Sequence, residues 1–486
     1  MISPNETEYV RLAAEYDVIP VVKERMADME TPVTVLRRFM DRETVFLLES
    51  MEGGETWGRY SFVGVNPEPF LDVDHSHGPT GRLERLREVF QGVRVAPVPG
   101  LPRFIGGVVG FLGYEAAGEF ERLPTPKAAT NPFALPRSRF VRANQVIVFD
   151  NLRHTIKIVV GSRPALHSSP QAAHAAAALA IEGIETTLSR PAEPVTETAG
   201  GAVEFTSNMT PDAYRGMVVA AKRYIQAGDI IQAVLSQRFT AQTRLSPFTL
   251  YRALRLLNPS PYTFFLKIGG QTLVGSSPEV MVRLTGSRIE IRPIAGTRPR
   301  GTTEGRDREL ASELLADEKE RAEHVMLVDL ARNDIGRIAE IGSVQVTESM
   351  VVERYSHVMH LVSHVEGVLR KCMDAYDVIA ASFPAGTLSG APKIRAMEII
   401  HELEPEPRGA YGGAVGYLGY DGNMDLAITI RTLDVRDGQV SVQAGAGIVY
   451  DSDPEREYQE TCQKAHALRA AVEMAARGLV LKEDAS

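Results

Sequence analysis

The sequence predicts an α+β fold in which large antiparallel β-sheets are flanked by helices. Three observations carry that expectation. Residues 263–301, TFFLKIGGQTLVGSSPEVMVRLTGSRIEIRPIAGTRPRG, are short apolar runs broken at Gly269-Gly270 and Thr285-Gly286-Ser287, the mark of successive antiparallel strands. Helical patterns come in blocks between such runs rather than after each single strand, which argues against a doubly wound parallel sheet. Finally, GGVVGFLGY at 106–114 returns as GGAVGYLGY at 412–420, identical at seven of nine positions. The two halves are therefore expected to share a β framework, with the reactive groups in the later copy.

Taken in order, residues 1–30 are expected to be helix-rich. TVFLLES and WGRYSFVGVNP, within 44–75, predict strands, and LLES alone reads as a buried one. FIGGVVGFLGYE (104–115) is a Gly-rich apolar strand or strand pair that lets another backbone or a ligand approach closely. Alternation around FDNLRH predicts a hairpin over 139–160. The Ala-rich stretch 168–188 predicts a helix, and SRPAEPVTETAGGA a linker. The plan is an N-terminal regulatory or structural region (1–188), a linker (189–205), a catalytic region (206–475) and a tail (476–486).

Thr210, Pro211 and Gly228 predict the N-cap, first turn and end of a helix. DIIQAVLSQRFTAQ (229–242) predicts a strand. Beyond the strands of 263–301 come a helix over 317–334, strands near 344–352 and at HVMHLVSHVEG, and a helix near 374–382. The loop FPAGTLSGAPK follows, then a helix from about 392 to 403 and the final strands and helix.

The chain has 486 residues, a formal net charge of −9 and 44% hydrophobic residues, enough for a large core in two or three domains. No dense basic patch answers nucleic-acid phosphates, and no apolar run nears the ~20 residues that cross a bilayer. MISPNETEYVRLAAEYD is polar, unlike a signal peptide. Cys372 and Cys462 have no metal or redox spacing, which fits a cytoplasmic setting.

Chemistry enters through carboxylates. Glu320 and Glu323 sit three apart on the helix DEKERAEHVMLVDLARND, where Leu314, Leu315, Ala322, Val325, Met326, Val328 and Leu330 recur at roughly helical spacing. Glu457 and Glu460 repeat the device in DPEREYQETCQKAHALRAA. They are solvated helix faces or two pairs meeting around one hard cation such as Mg²⁺, which takes one or two carboxylates plus substrate oxygens. FPAGTLSGAPK, with Thr387, Ser389 and Pro392, is an ordinary capped loop or a carboxylate seat at a helix N-terminus. Gly445, Ala446 and Gly447 form a β-bulge or expose main-chain N–H groups to an anion. Arg431, on the apolar strand of AITIRTLD, is costly there unless paired, and so a candidate anion clamp. Tyr411 and Lys464 could add a hydroxyl and a cation. His360, in HVMHLVSH, is a structural histidine or a site group. The inventory describes a pocket for a small polyanionic metabolite.

These motifs resemble the large subunits of anthranilate synthases, chorismate-utilising enzymes. The matching runs include GDIIQAVLSQRF, NPSPYTFF, GSSPE, RPIAGTRPRG, RYSHVMHLVS and QAGAGIVYDSDPEREYQET, spread over 206–470, with LLES and GRYSF in the N-terminal half. The resemblance implies Glu323 and Glu460 as Mg²⁺ ligands, with Glu320 and Glu457 holding metal-bound waters. It implies Tyr411, Arg431, the Gly445–Ala446–Gly447 backbone and Lys464 receiving the chorismate carboxylates, and Gly296 and Thr297 lining the pocket with Thr387 nearby. Glu279 resembles the general acid that protonates the departing hydroxyl, and His360 the histidine beside the reacting ring.

Gln232 stands where water-adding relatives, the isochorismate and salicylate synthases, place a lysine base, which fits ammonia as nucleophile. Ala295, in PIAGT, stands where aminodeoxychorismate synthases carry a lysine, so anthranilate is preferred over that alternative product. The resemblance further implies ammonia from a separate glutamine amidotransferase subunit, in a heterotetramer of two large and two small subunits. Ser50, Pro261, Tyr262 and Thr263 resemble a feedback site for L-tryptophan, with Thr263 replacing a methionine common in the family. Gln463, often asparagine in relatives, is expected to matter little.

Overall fold

The computed structural model describes residues 2–50, 59–129, 131–191, 201, 203–355 and 358–479. Most of the expected linker and all but the first residues of the expected tail lie outside them. The first half contributes β1 (Ile19–Met26), β2 (Val45–Glu49), β3 (Tyr60–Gly64), β4 (Glu68–Asp74), β5 (Gly107–Leu112), β6 (Arg137–Ala143), β7 (Gln145–Asp150), β8 (Thr155–Ser162) and helix α1 (Pro170–Leu188). After α2 (Pro211–Ala227), the second half runs through β9 (Gln232–Gln242), α3 (Pro247–Leu257), β10 (Tyr262–Ile268), β11 (Gln271–Ser277), β12 (Val280–Thr285), β13 (Arg288–Ile291) and β14 (Ile294–Pro299). Then come α4 (Glu304–Ala316), α5 (Glu318–Gly336), β15 (Gln345–Arg354), β16 (Val358–Val368), α6 (Ala375–Ser382) and α7 (Lys393–Leu403). The chain closes with β17 (Ala414–Gly419), β18 (Met424–Ile428), β19 (Thr432–Arg436), β20 (Gln439–Ile448) and α8 (Pro454–Ala476).

The α+β architecture with two large antiparallel sheets is as expected. One sheet runs β1-β8-β7-β3-β2-β10-β11-β19-β20-β9, with two-residue strands at either end. The other runs β14-β16-β13-β12-β18-β17-β5-β6-β4, with β15 on β16. Counted outward from the β2–β10 and β5–β17 contacts, the halves match strand for strand in chain order, and α1 matches α8. The repeated sequence is thus a repeated framework. Its two copies lie side by side, β5 paired antiparallel with β17 so that Gly110 faces Gly416. Both glycines are needed there. A Cβ on Gly110 would lie 2.0 Å from the Arg139 carbonyl oxygen, and on Gly416 2.1 Å from that of Asp425.

Strands from both sides of the expected 189–205 linker join edge to edge in both sheets. The largest apolar cluster likewise draws on both, from Ile19 and Ile147 to Leu254 and Leu468. What the second half adds is the insertion between β12 and β17, residues 286–413, where the first half has only 75–106.

Two local expectations are corrected. Residues 1–30 are not predominantly helical: Glu6–Leu12 is a helix, but Ile19–Met26 is β1, paired along its length with β8. Its run IPVV faces the core, and burial decides over the helical tendency of the flanks. The acidic helix is also shorter than its apolar pattern suggested. Asp317 caps α5 by accepting from the Lys319 and Glu320 N–H groups, so Leu314 and Leu315 belong to α4. The buried face of α5 is His324, Leu327, Ala331, Asp334 and Ile335, while Ala322 and Val325 are exposed. Glu320 and Glu323 share that inward face.

Candidate active site

The site forms where strands leave one sheet for the other. β11 ends in the first sheet and β12 begins in the second; β18 lies in the second and β19 in the first. Glu279 occupies the first crossing and Arg431 the second. The two corners clasp each other: Ser276 N donates to the Arg431 carbonyl (3.1 Å) and Ile428 N to that of Glu279 (3.0 Å). Arg431 is therefore not on a strand, as AITIRTLD suggested. It is the turn residue, at φ 50°, because the chain must reverse there to change sheets. A non-glycine residue in that region carries strain of the kind that gathers at functional sites.

That crossing opens an edge. β19 pairs with β20 only as far as Leu433↔Val442, while β9 follows β20 on to Ala233↔Ile448. Gly445, Ala446 and Gly447 lie on this one-sided stretch of regular strand rather than in a bulge, so alternate N–H groups have no strand partner there. The glycines admit close neighbours. A Cβ on Gly445 would lie 2.8 Å from Tyr411 Oη, and on Gly447 2.6 Å from Gln232 Nε2. Gly445→Ala is expected to raise KM for the substrate sharply while leaving the fold intact, as steady-state kinetics and circular dichroism would show.

Around that edge the expected residues gather. Lys464 Nζ donates to the Gly445 carbonyl (2.9 Å) and pairs with Glu460 Oε1 one turn earlier on α8 (2.7 Å). Thr387 Oγ1 donates to Glu279 Oε2 (3.1 Å). Burial pushes the Glu279 carboxyl up, against the Thr387 hydrogen bond and the charges of Lys464 and Arg431. Burial lowers Arg431, with Glu279, Tyr411 and Glu460 acting in the opposite sense. Among the described residues no hydrogen bond or ion pair holds its guanidinium. His360, on β16, lies 2.8 Å through Nδ1 from the Gly296 carbonyl and 3.2 Å from Thr297 Oγ1. The first contact requires Nδ1 to carry the proton, leaving Nε2 as the acceptor. Gly296, at φ +66°, leaves room for Glu320: a Cβ would stand 3.1 Å from Glu320 Oε2.

The four carboxylates expected to meet do face one another electrostatically. Burial, then Glu320 and Glu460, raise Glu323. Burial raises Glu457, with Glu460 adding to it. Among the described residues, however, no three His, Cys, Asp or Glu already surround a common centre, and Glu460 is paired with Lys464. Carboxylates that resist their own charge, beside an edge and cations suited to anions, fit a hard cation that completes its shell with substrate oxygens and water.

Sequence reasoning missed the support beneath Tyr411. Arg408, 1% exposed on its side chain, is held doubly by Glu404 (2.8 and 2.7 Å) and donates to the Leu388 and Val234 carbonyls. Its guanidinium stands 5.7 Å from the Tyr411 ring centre. EPEPRGAYGG gives no periodicity that would disclose this. A separate cavity of about 330 Å³ lies near the contact of the two halves, lined by Ser50, Pro261, Tyr262 and Thr263 together with Arg283 and Asp425. Tyr262 donates to Asp425 Oδ1 (3.0 Å), and Arg283 pairs with Asp425 (2.7 Å).

Two sheets whose crossings hold an acid and a desolvated arginine beside an open strand edge define an enzyme site for a small polycarboxylate. A family model described as chorismate binding enzyme matches residues 43–470. Anthranilate synthase component 1 of Acetivibrio thermocellus is 46% identical, covering 98% of this chain and 99% of its own. That of Streptomyces coelicolor is 47% identical, covering 97% and 92%. The crystal structure of anthranilate synthase component I from Streptococcus pneumoniae superposes with a TM-score of 0.76 at 38% identity, covering 86% of this chain and 95% of its own. The menaquinone-specific isochorismate synthase of Escherichia coli shares the fold, with a TM-score of 0.71 at 19% identity. The chain belongs to the chorismate-binding enzyme family.

Proposed function

We propose that the chain aminates chorismate and eliminates pyruvate from it to give anthranilate. The observation that carries this reading is Glu279, a carboxyl whose proton affinity burial raises and whose oxygen Thr387 holds beside Arg431 and Lys464. Arg431, Tyr411, Lys464 and the Gly445–Gly447 edge bind and orient the substrate carboxylates. Glu279 delivers its proton to the ring hydroxyl, which leaves as water while ammonia adds. His360, with Nε2 as its acceptor atom, stands ready to take the ring proton as pyruvate departs. Glu323 and Glu460, with Glu320 and Glu457 on bound waters, would hold Mg²⁺, which supplies charge to neutralise and fix a substrate carboxylate. Gln232, an amide near Gly447, is no base for activating water. Ala295 leaves no lysine in the run that would favour the aminodeoxychorismate product.

Chorismate with ammonium and Mg²⁺ is expected to yield fluorescent anthranilate; p-aminobenzoate precursors, or isochorismate, would overturn the reading. Glu323→Ala is expected to abolish Mg²⁺-dependent turnover and weaken Mg²⁺ binding measured by calorimetry.

The ammonia source is proposed to be a separate glutamine amidotransferase in a heterotetramer in the cytoplasm. Cys372 is exposed and Cys462 lies on α8, and among the described residues no hydrogen bond joins either thiol to a histidine that would activate it. No helix among the described residues is long and apolar enough to cross a membrane. Co-expression with the partner should make glutamine a nitrogen source. The cavity at Ser50, Pro261, Tyr262 and Thr263 is proposed to take L-tryptophan as a feedback inhibitor. Tyr262 and Thr263 pair with Ser277 and Ser276, two and three residues before the acid, so a ligand there bears on the strand that carries it. Unchanged activity at millimolar tryptophan would remove this regulatory role.

A further inference from the structure

Behind Glu279 lies a cavity of about 40 Å³, lined by Glu279, Thr387, Arg292, Ser382, Ala331 and Asp334 among others. Arg431, Tyr411, Lys464 and Gly445 do not line it, so it meets the acid away from the groups that face the substrate carboxylates. By volume it accommodates about two or three waters, with polar groups to hold them. On the same lining Asp334, on the buried face of α5, accepts from Lys393 at the start of α7 (2.8 Å), and Lys393 also donates to the Ser382 carbonyl (3.1 Å). Asp334 keeps 9% side-chain exposure.

We infer that Asp334, through water in this cavity, returns to Glu279 the proton that Glu279 gives up in each turnover. The inference rests on the assignment of Glu279 as the acid. The Glu279 O–H bond breaks as its proton joins the departing hydroxyl, which leaves as water. The Glu279 carboxylate then takes a proton from a cavity water. That water takes one from the Asp334 carboxyl, and Asp334 is reprotonated from solvent. One proton enters for each one consumed. Burial pushes the Asp334 carboxyl up to about 6, against the charges of Lys393 and Arg337, so it exchanges protons near neutrality. An ion pair serving only to pin α5 to α7 would need neither the cavity nor the shared lining with Glu279.

Asp334 acts through Glu279 and is a positioning residue for its proton. Asp334→Asn is expected to lower kcat roughly tenfold at unchanged KM for chorismate, with a larger solvent deuterium isotope effect on kcat and partial rescue by Asp334→Glu. Since the asparagine leaves Lys393 buried beside an uncharged neighbour, Asp334→Asn/Lys393→Met tests the same point with both charges removed. Ala331→Val narrows the cavity without altering any titratable group and is expected to act in the same direction. Folded variants with wild-type kcat and isotope effect overturn the relay. So does a loss of kcat that follows thermal stability with the isotope effect unchanged. If Glu279→Gln retains full kcat, the acid assignment itself fails; if Glu279→Gln is inactive while the Asp334 variants are normal, only the relay fails.

Discussion

Glu279→Gln will lower kcat for anthranilate formation by about 10²–10⁴-fold, the range general acid catalysis supplies, with little change in KM. The amide keeps the shape of the side chain and can still accept from Thr387, but it has no proton to give. The pH profile separates this from a binding defect. Burial pushes the wild-type carboxyl up from its ordinary value, so its acid form persists to higher pH than that of an exposed glutamate. At fixed free ammonia, wild-type kcat should fall as pH rises through that raised value, because the proton needed by the leaving hydroxyl is lost. The variant should lose this alkaline limb. A Glu279→Gln enzyme with unchanged kcat and an intact limb would show that the proton comes from elsewhere.

Arg408→Met will cost about 3–5 kcal/mol of stability, as removal of one partner from a buried ion pair does. Arg408 and Glu404 are both buried, and Glu404 Oε1 also accepts from Ser236 N and Oγ (2.8 Å each). Without the guanidinium, Glu404 keeps those two donors but loses the only cationic side chain that is hydrogen-bonded to its carboxylate among the described residues. The Leu388 and Val234 carbonyls lose their donor as well. Urea denaturation of purified variants measures the loss. Arg408→Met/Glu404→Met should recover part of it, since no isolated charge remains. The segment held by Arg408 carries Tyr411, so a rise in KM for chorismate should accompany the single change. A variant with the wild-type urea midpoint would mean that Glu404 is neutralised by other means.

Which residues the fold brings together at the candidate site was largely legible in the chain. Glu320 and Glu323 share a face because three residues span most of a helical turn. The one-sided edge at Gly445–Gly447 follows a run of small residues that tolerate close neighbours. The repeat at 106–114 and 412–420 announced a doubled framework, because the same close strand approach demands the same glycines. Local pattern failed where long-range packing decides. β1 is a strand because β8 lies beside it. Arg431 looked like part of a strand because AITIRTLD is continuous in sequence, yet the chain changes sheets within it. The Arg408–Glu404 pair and the Asp334–Lys393 pair left no trace, since each joins residues whose spacing says nothing of their burial.

By itself the sequence determined the class of fold, the family resemblance and the inventory of acids, cations and glycines, since periodicity and residue chemistry are local properties. Tertiary structure decided what those residues do to one another. Only when two strands cross between sheets do Glu279 and Arg431 come together out of water. Only the packing of α5, the end of α6 and the crossing creates a cavity joining Asp334 to the acid. Burial and neighbouring charge set proton affinity, and both are products of contacts between residues far apart in the chain.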